Sequence, residues 1–104
     1  MKILEIVPRP RARLFGTLVD KEDSIQRKGR GTYVRVGRKS NSAARWKHKK
    51  YGGSVELSRD PDETITAKIR ASGPENEIGL LRSFLGFVER HSDDRVATIT
   101  IHYR

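Results

Sequence analysis

The chain has 104 residues, no cysteine, 34% charged and 35% hydrophobic residues, and a net charge of +9. That length is one domain, residues 1–104, with a modest core. The lack of cysteine excludes disulfides, thiolate nucleophiles and cysteine-held zinc or iron–sulfur centres, and no apolar run approaches the roughly 18–20 residues a membrane helix needs.

Taken in order, residues 2–7 read as a short strand stopped by Pro8, and Pro8 and Pro10 hold Arg9 extended. Residues 11–19 read as a second strand, with Gly16 marking a bulge. The polar run from Asp20 to Gly31 reads as a loop, with a short helical turn around Asp20–Ile25 as the alternative. Thr32 to Gly37 is strand-like, without a clear buried face. Arg38 to Gly53 shows no period, contains the turn formers Ser40, Asn41 and Ser42, and ends in two glycines; it reads as a long basic loop at about 38–53, or a loop with a short helix across Ser42–Lys50.

The pattern then sharpens. Val55 and Leu57 alternate with Glu56 and Ser58, Pro61 sits in a turn, and Ile65, Ala67, Ile69 and Ala71 alternate with Thr64, Thr66, Lys68 and Arg70. That is a β-hairpin with one apolar face. Ser72, Pro74 and Glu75 form a helix start with a capping box. Ile78, Leu81, Phe84, Leu85 and Val88 follow at three- and four-residue steps. Gly79 and Gly86 suit close packing on a sheet. The last strand runs from Val96 to Tyr103, with Thr98, Thr100 and His102 on its polar side.

The expected architecture is α+β: about five strands in a mixed, mostly antiparallel sheet, with one long helix of residues 74–91 packed on one face. A right-handed crossover through that helix sets the last strand parallel to the 63–71 strand. A small, partly closed β-barrel plus helix is the alternative. One helix leaves the second sheet face solvated, available for binding, or paired in a homodimer.

Charge points to function. Residues 1–55 hold 15 Lys or Arg against 4 Asp or Glu, and residues 56–104 hold 7 against 9. Between Ser24 and Val55 there are ten cations and no carboxylate: Arg27, Lys28, Arg30, Arg35, Arg38, Lys39, Arg45, Lys47, Lys49 and Lys50. Such a stretch suits phosphate contacts, which release counterions. Trp46 and Tyr51, with Tyr33, add candidate stacking surfaces for unpaired bases, and His48 lies among them. The first expectation is therefore a non-enzymatic nucleic-acid-binding protein, for RNA or single strands, with Arg27, Lys28, Arg30, Arg35, Arg38, Lys39, Arg45, Trp46, Lys47, His48, Lys49, Lys50 and Tyr51 as its contacts. The alternative is a dimeric accessory or inhibitor module whose basic surface meets an acidic protein.

A third possibility is a metal-free nuclease with His48 as general base, its pKa lowered by neighbouring cations. None of His48, His91 and His102 has a second ligand at metal spacing, so neither metal nor cofactor is called for. Gly29-Arg30-Gly31 lacks the rest of a phosphate-loop motif. The apolar start, broken by Glu5, is too short for a signal peptide, and the expected location is the cytoplasm.

Overall fold

A computed structural model describes all of residues 1–104. Six strands, β1 (Lys2–Pro8), β2 (Tyr33–Arg35), β3 (Ala43–His48), β4 (Gly53–Arg59), β5 (Ile65–Ala71) and β6 (Val96–Tyr103), form one open sheet in the order β2-β3-β4-β5-β1-β6. Two helices, α1 (Leu14–Arg27) and α2 (Pro74–Ser92), complete an α+β fold. The sheet is not closed, which sets the barrel alternative aside.

The hairpin β4–β5, the helix α2 and the last strand form where their periodicities place them. Alternation puts Val55 opposite Ile69 and Leu57 opposite Ala67, and all four are buried. Of the expected α2 stripe Phe84 and Val88 are buried, with Leu80 and Phe87 beside them, while Leu81 and Leu85 are half-buried and Ile78 is 49% exposed, so the buried face is turned from the expected one. The capping box does not form. Gly73 is the N-cap at φ 103° and gives no side-chain bond, while Asn76 Nδ2 donates to Ser72 Oγ at 3.1 Å. Pro74 opens the helix as expected, with Glu75 and Glu77 in its first turn.

Three expectations are corrected. Residues 14–19 are helix rather than strand, and the polar run is helix as far as Arg27 and loop only after it: α1 joins the two. Leu14, Phe15, Leu18, Val19 and Glu22 bury one face at helical spacing. Residues 38–53 are not one long loop, because β3 crosses them with Ala44 and Trp46 buried. The sheet has six strands rather than five and is antiparallel at every hydrogen-bonded pair, not mixed. β5 and β6 do run in the same direction through α2, but β1 lies between them and pairs with both.

Both helices lie on the same side of the sheet. α2 packs on β4 and β5, and α1 packs on α2 and reaches β2. Together with Leu4, Ile6, Trp46, Val55, Leu57, Ile65 and Ile69 they enclose a single core of 18 buried apolar residues. Gly79 admits the aromatic ring of Tyr51 against α2, since a Cβ there would sit 2.4 Å from the ring. The opposite face carries no helix. Alternation gives it Arg45, Lys47, Glu56, Ser58, Lys68 and Arg70 from β3 to β5, and Ile3, Glu5, Val7, Thr98, Thr100 and His102 from β1 and β6. No helix is long and apolar enough to cross a membrane.

Candidate nucleic-acid interface

The basic stretch folds as the β2–β3 end of the sheet. β2 pairs with β3 from Tyr33–His48 to Arg35–Trp46, and Val36 N donates to Arg45 O at 2.8 Å beyond the strand's end. At the other end Lys49 N donates to Thr32 O at 2.8 Å, which sets the turn after β3 beside the segment leaving α1. Arg30, Lys49 and Lys50 are thereby brought to one end of the hairpin, all exposed. Arg27 and Lys28 stand at the C-terminus of α1, where a cation also suits the helix dipole.

On the helix-free face the register extends the basic surface beyond the sequence stretch. Lys47 lies opposite Ser54, which lies opposite Arg70; Arg45 lies opposite Glu56, which lies opposite Lys68. Neighbouring strands stand about 4.8 Å apart, so each row spans roughly 10 Å. Glu56 is the one carboxylate in these rows. It lies 3.2 Å from Arg70 Nε and 3.9 Å from Arg45 Nε. Such exposed pairs hold little energy, on the order of 0–1 kcal/mol each. Lys68 and Arg70 were placed by sequence on the polar sheet face; what sequence did not supply is the β3 strand that sets them beside Arg45 and Lys47.

The ten cations of the stretch divide by partner. Arg35 Nη1 meets Asp23 Oδ1 at 2.9 Å, and Lys39 Nζ bonds the other oxygen of the same carboxylate. Burial pushes the Asp23 carboxyl up, but the Lys39 hydrogen bond and the charges of Lys39 and Arg35 outweigh it and hold it below its ordinary value. These two cations tie β2 and the segment after it onto α1. Arg45 has only the long contact to Glu56. Arg27, Lys28, Arg30, Arg38, Lys47, Lys49 and Lys50 are exposed and have no carboxylate within ion-pair distance.

The aromatic residues are placed otherwise than a stacking surface requires. Trp46 is 0% exposed at the centre of the core, within 5.3–5.4 Å of the Phe87 and Tyr33 rings, so it is withdrawn as a base contact. Tyr33 is buried too. Its hydroxyl lies 2.9 Å from Ser83 Oγ, and burial pushes its pKa up to about 12. Tyr51 is half-buried on Gly79, with Lys50 Nζ 5.3 Å from its ring centroid.

His48 is half-buried at the edge of the same cluster. Its Nδ1 accepts from the backbone N–H of Lys50 at 2.9 Å and of Tyr51 at 3.3 Å. That assignment leaves the proton on Nε2, which donates to Ser83 Oγ at 3.0 Å. Burial, then the charge of Lys50, lowers its pKa and keeps the ring neutral near pH 7. A general base needs a free lone pair, and this imidazole spends its lone pair on the turn. The same geometry makes Ser83 an acceptor from His48, not a nucleophile activated by it. His48 is a clasp for the 49–52 turn rather than the nuclease base that sequence allowed.

No three His, Asp or Glu side chains converge as a metal site requires. The feature that sequence missed is Glu22, 3% exposed on the core side of α1, whose enclosed carboxylate oxygens meet no N–H or hydroxyl donor and whose protonated form hydrogen-bonds the neighbouring Asp23 carboxylate. Its signal was spacing: it stands four residues after Leu18 on the buried stripe. No family model, no curated protein sequence and no solved structure matches the chain.

Proposed function

We propose that this protein binds nucleic acid along the phosphate backbone, through the β2–β3 end of the sheet and the basic rows of β3, β4 and β5. The observation that carries the reading is that seven of the ten cations in the carboxylate-free stretch stay exposed without a carboxylate partner. Gathering like charges raises the energy of the folded state, and a polyanion relieves it while releasing counterions. From β3 to β5 the face is polar and cationic, with Ile3 and Val7 confined to β1, which suits phosphate better than a second copy of the sheet.

Burial of Trp46 and Tyr33 shifts the expected contacts from bases to backbone. The interface contacts are Arg27, Lys28, Arg30, Arg38, Arg45, Lys47, Lys49 and Lys50, joined by Lys68 and Arg70. Arg35 and Lys39 hold the scaffold.

A salt titration of binding tests the reading. With about five phosphates engaged, the slope of log affinity against log salt is about −3.5 for a single strand and about −4.5 for a duplex. A slope near zero would remove the proposal. An acidic protein that competes at physiological salt while nucleic acid does not would assign the surface to the accessory-module reading.

A further inference from the structure

The open sheet ends in two edges of opposite kind. At one edge β2 is three residues long, and Arg35 and Lys39 tie it and the segment after it to Asp23. Short strands and cations are the usual protection of a sheet edge. At the other edge β6 is eight residues long and contains no Lys, Arg, Asp, Glu, Pro or Gly. Its β-branched and aromatic residues favour pairing, and only a register shift beside Pro8 interrupts its start.

The direction of its free hydrogen-bonding groups follows from the pairing with β1. Arg104 N donates to Met1 O at 3.2 Å, and Met1 N donates to Arg104 O at 3.2 Å. Mutually bonded pairs alternate along an antiparallel ladder, so His102 and Thr100 also turn N–H and C=O toward β1. Ile99, Ile101 and Tyr103 turn theirs outward, to the open edge.

The layer above that edge is unfinished. Ile99, Ile101 and Tyr103 lie on the helix side, opposite Ile6, Leu4 and Lys2. α2 sits on β4 and β5, and α1 sits on α2 and β2, so neither helix is seated on β6. The flank of α2 turned to β1 is marked by Glu77, which bonds Lys2 at 2.7 Å. At helical spacing from Glu77 that flank carries Leu81 and Leu85, both half-buried, with the exposed Ile78 beyond them. Ile99 and Ile101 are half-buried too, and Tyr103 is 72% exposed. A strip of apolar side chains thus borders a row of unpaired backbone groups.

We infer that this edge binds a second copy of the chain, with β6 pairing antiparallel to β6 about a two-fold axis at Thr100, so that the two sheets join into one. The inference is independent of the nucleic-acid reading. In this register the strand is complementary to itself. Ile99 of each copy faces Ile101 of the other, so their outward N–H and C=O groups meet as bonded pairs. The same step sets isoleucine against isoleucine on the helix side and Thr100 against Thr100 on the other. Tyr103, the largest exposed side chain of the strand, falls opposite Ala97, its smallest. Charge agrees at the ends. Arg104 is exposed without a carboxylate partner, and pairing sets it opposite Val96 of the second copy, beside the exposed Asp93 and Asp94 that precede it. Within the chain Asp94 has only a 3.7 Å contact to Arg95, and Asp93 has none. The cationic β2–β3 ends stay at the two far sides of the joined sheet, so like charges are kept apart.

The chain has no cysteine, so single cysteines report the register. The full chain is treated with nuclease and held in moderate salt, so that nucleic acid cannot bridge two copies. It should sediment as a dimer over loadings of about 1–100 µM. Thr100 faces itself as a non-bonded pair with Cα atoms about 4.5 Å apart, within reach of a disulfide. Thr100→Cys should therefore give a covalent dimer on mild oxidation. Thr98→Cys and His102→Cys should each stay unlinked alone, about 13 Å out of register, and should link to each other when mixed. Thr100→Glu gathers carboxylates at the axis, since Glu5 lies opposite Thr100 in β1 of each copy. It should weaken the dimer at least roughly tenfold with circular dichroism unchanged. A monomer at every loading overturns the inference and leaves the edge to a strand of another protein. A dimer in which Thr100→Cys does not link, or which Thr100→Glu leaves intact, overturns it too, because the contact then lies elsewhere. Oligomers that keep growing with concentration also contradict it, since a two-fold pairing closes at the dimer.

Discussion

At the β1–β6 end of the sheet charges are sparse, and Arg9 and Arg104 beside the strand ends are exposed without an ion-pair partner. The N-terminal ammonium and Lys2 both bond Glu77, at 2.9 and 2.7 Å, and the helix-free face there shows Thr98, Thr100 and His102 with the single charge of Glu5. At the β2–β3 end, the two cations that turn inward, Arg35 and Lys39, share one carboxylate, and those that turn outward have almost none. The core beneath is continuous, so burial does not explain the difference. What separates the ends is density: seven exposed, unpaired cations gather at the β2–β3 end, while Arg9 and Arg104 stand singly at the other.

The largest expected effect breaks the basic end from below. Trp46 is its core anchor, so Trp46→Ala should cost about 3–5 kcal/mol of stability, read by urea denaturation. Should that variant keep its stability and lose only nucleic-acid binding, the tryptophan would be a surface contact after all.

Next comes Glu22. Its carboxyl is pushed up to about 7 from an ordinary 4.5. Between those pH values the folded chain holds a proton that the unfolded chain has released, so stability falls as pH rises through the window and is constant above it. Glu22→Gln never ionises and escapes that loss. It should be about 2–3 kcal/mol more stable than the parent near pH 8 and equal to it near pH 4. Thermal melts of the two proteins across this range measure the difference.

Asp23 gives a smaller effect and sharpens the comparison. Asp23→Asn should cost about 1–3 kcal/mol, because Arg35 and Lys39 lose their charged acceptor. It also hands two cations to the basic end, so the salt slope for nucleic acid should steepen by about 1. The Asp23 carboxyl lies below its ordinary value, so its stabilisation is present above about pH 4 and is lost as pH falls through the folded pKa.

The same division explains what could be read from sequence. The β5–α2–β6 region was legible because local periodicity matches its burial: Ile65, Ala67 and Ile69 at steps of two, then Phe84 and Val88 at a step of four. In α1 the pairs Leu14–Phe15 and Leu18–Val19 were also helical in spacing, but Gly16 suggested a bulge and the buried Glu22 and Asp23 hid the end of the stripe. β3 turns Ala44, Trp46 and His48 toward the helices, with only the first two buried, and its outward residues include the cations Arg45 and Lys47 that made it resemble a loop. The insertion of β1 between β5 and β6 is a long-range pairing that no local spacing encodes. For the site, composition located the cations. It could not tell Arg35 and Lys39, which hold the fold, from Lys47 and Lys49, which do not.

The most direct measurement removes cations from each end and compares salt slopes. Replacing Lys47, Lys49 and Lys50 by alanine together should flatten the slope for single-stranded RNA by about 2, with stability changed by less than about 0.5 kcal/mol. Replacing Arg95 and Arg104, the exposed cations at the two ends of β6, should leave the slope unchanged. Equal flattening by both sets would show that binding follows net charge alone and would contradict a single basic end.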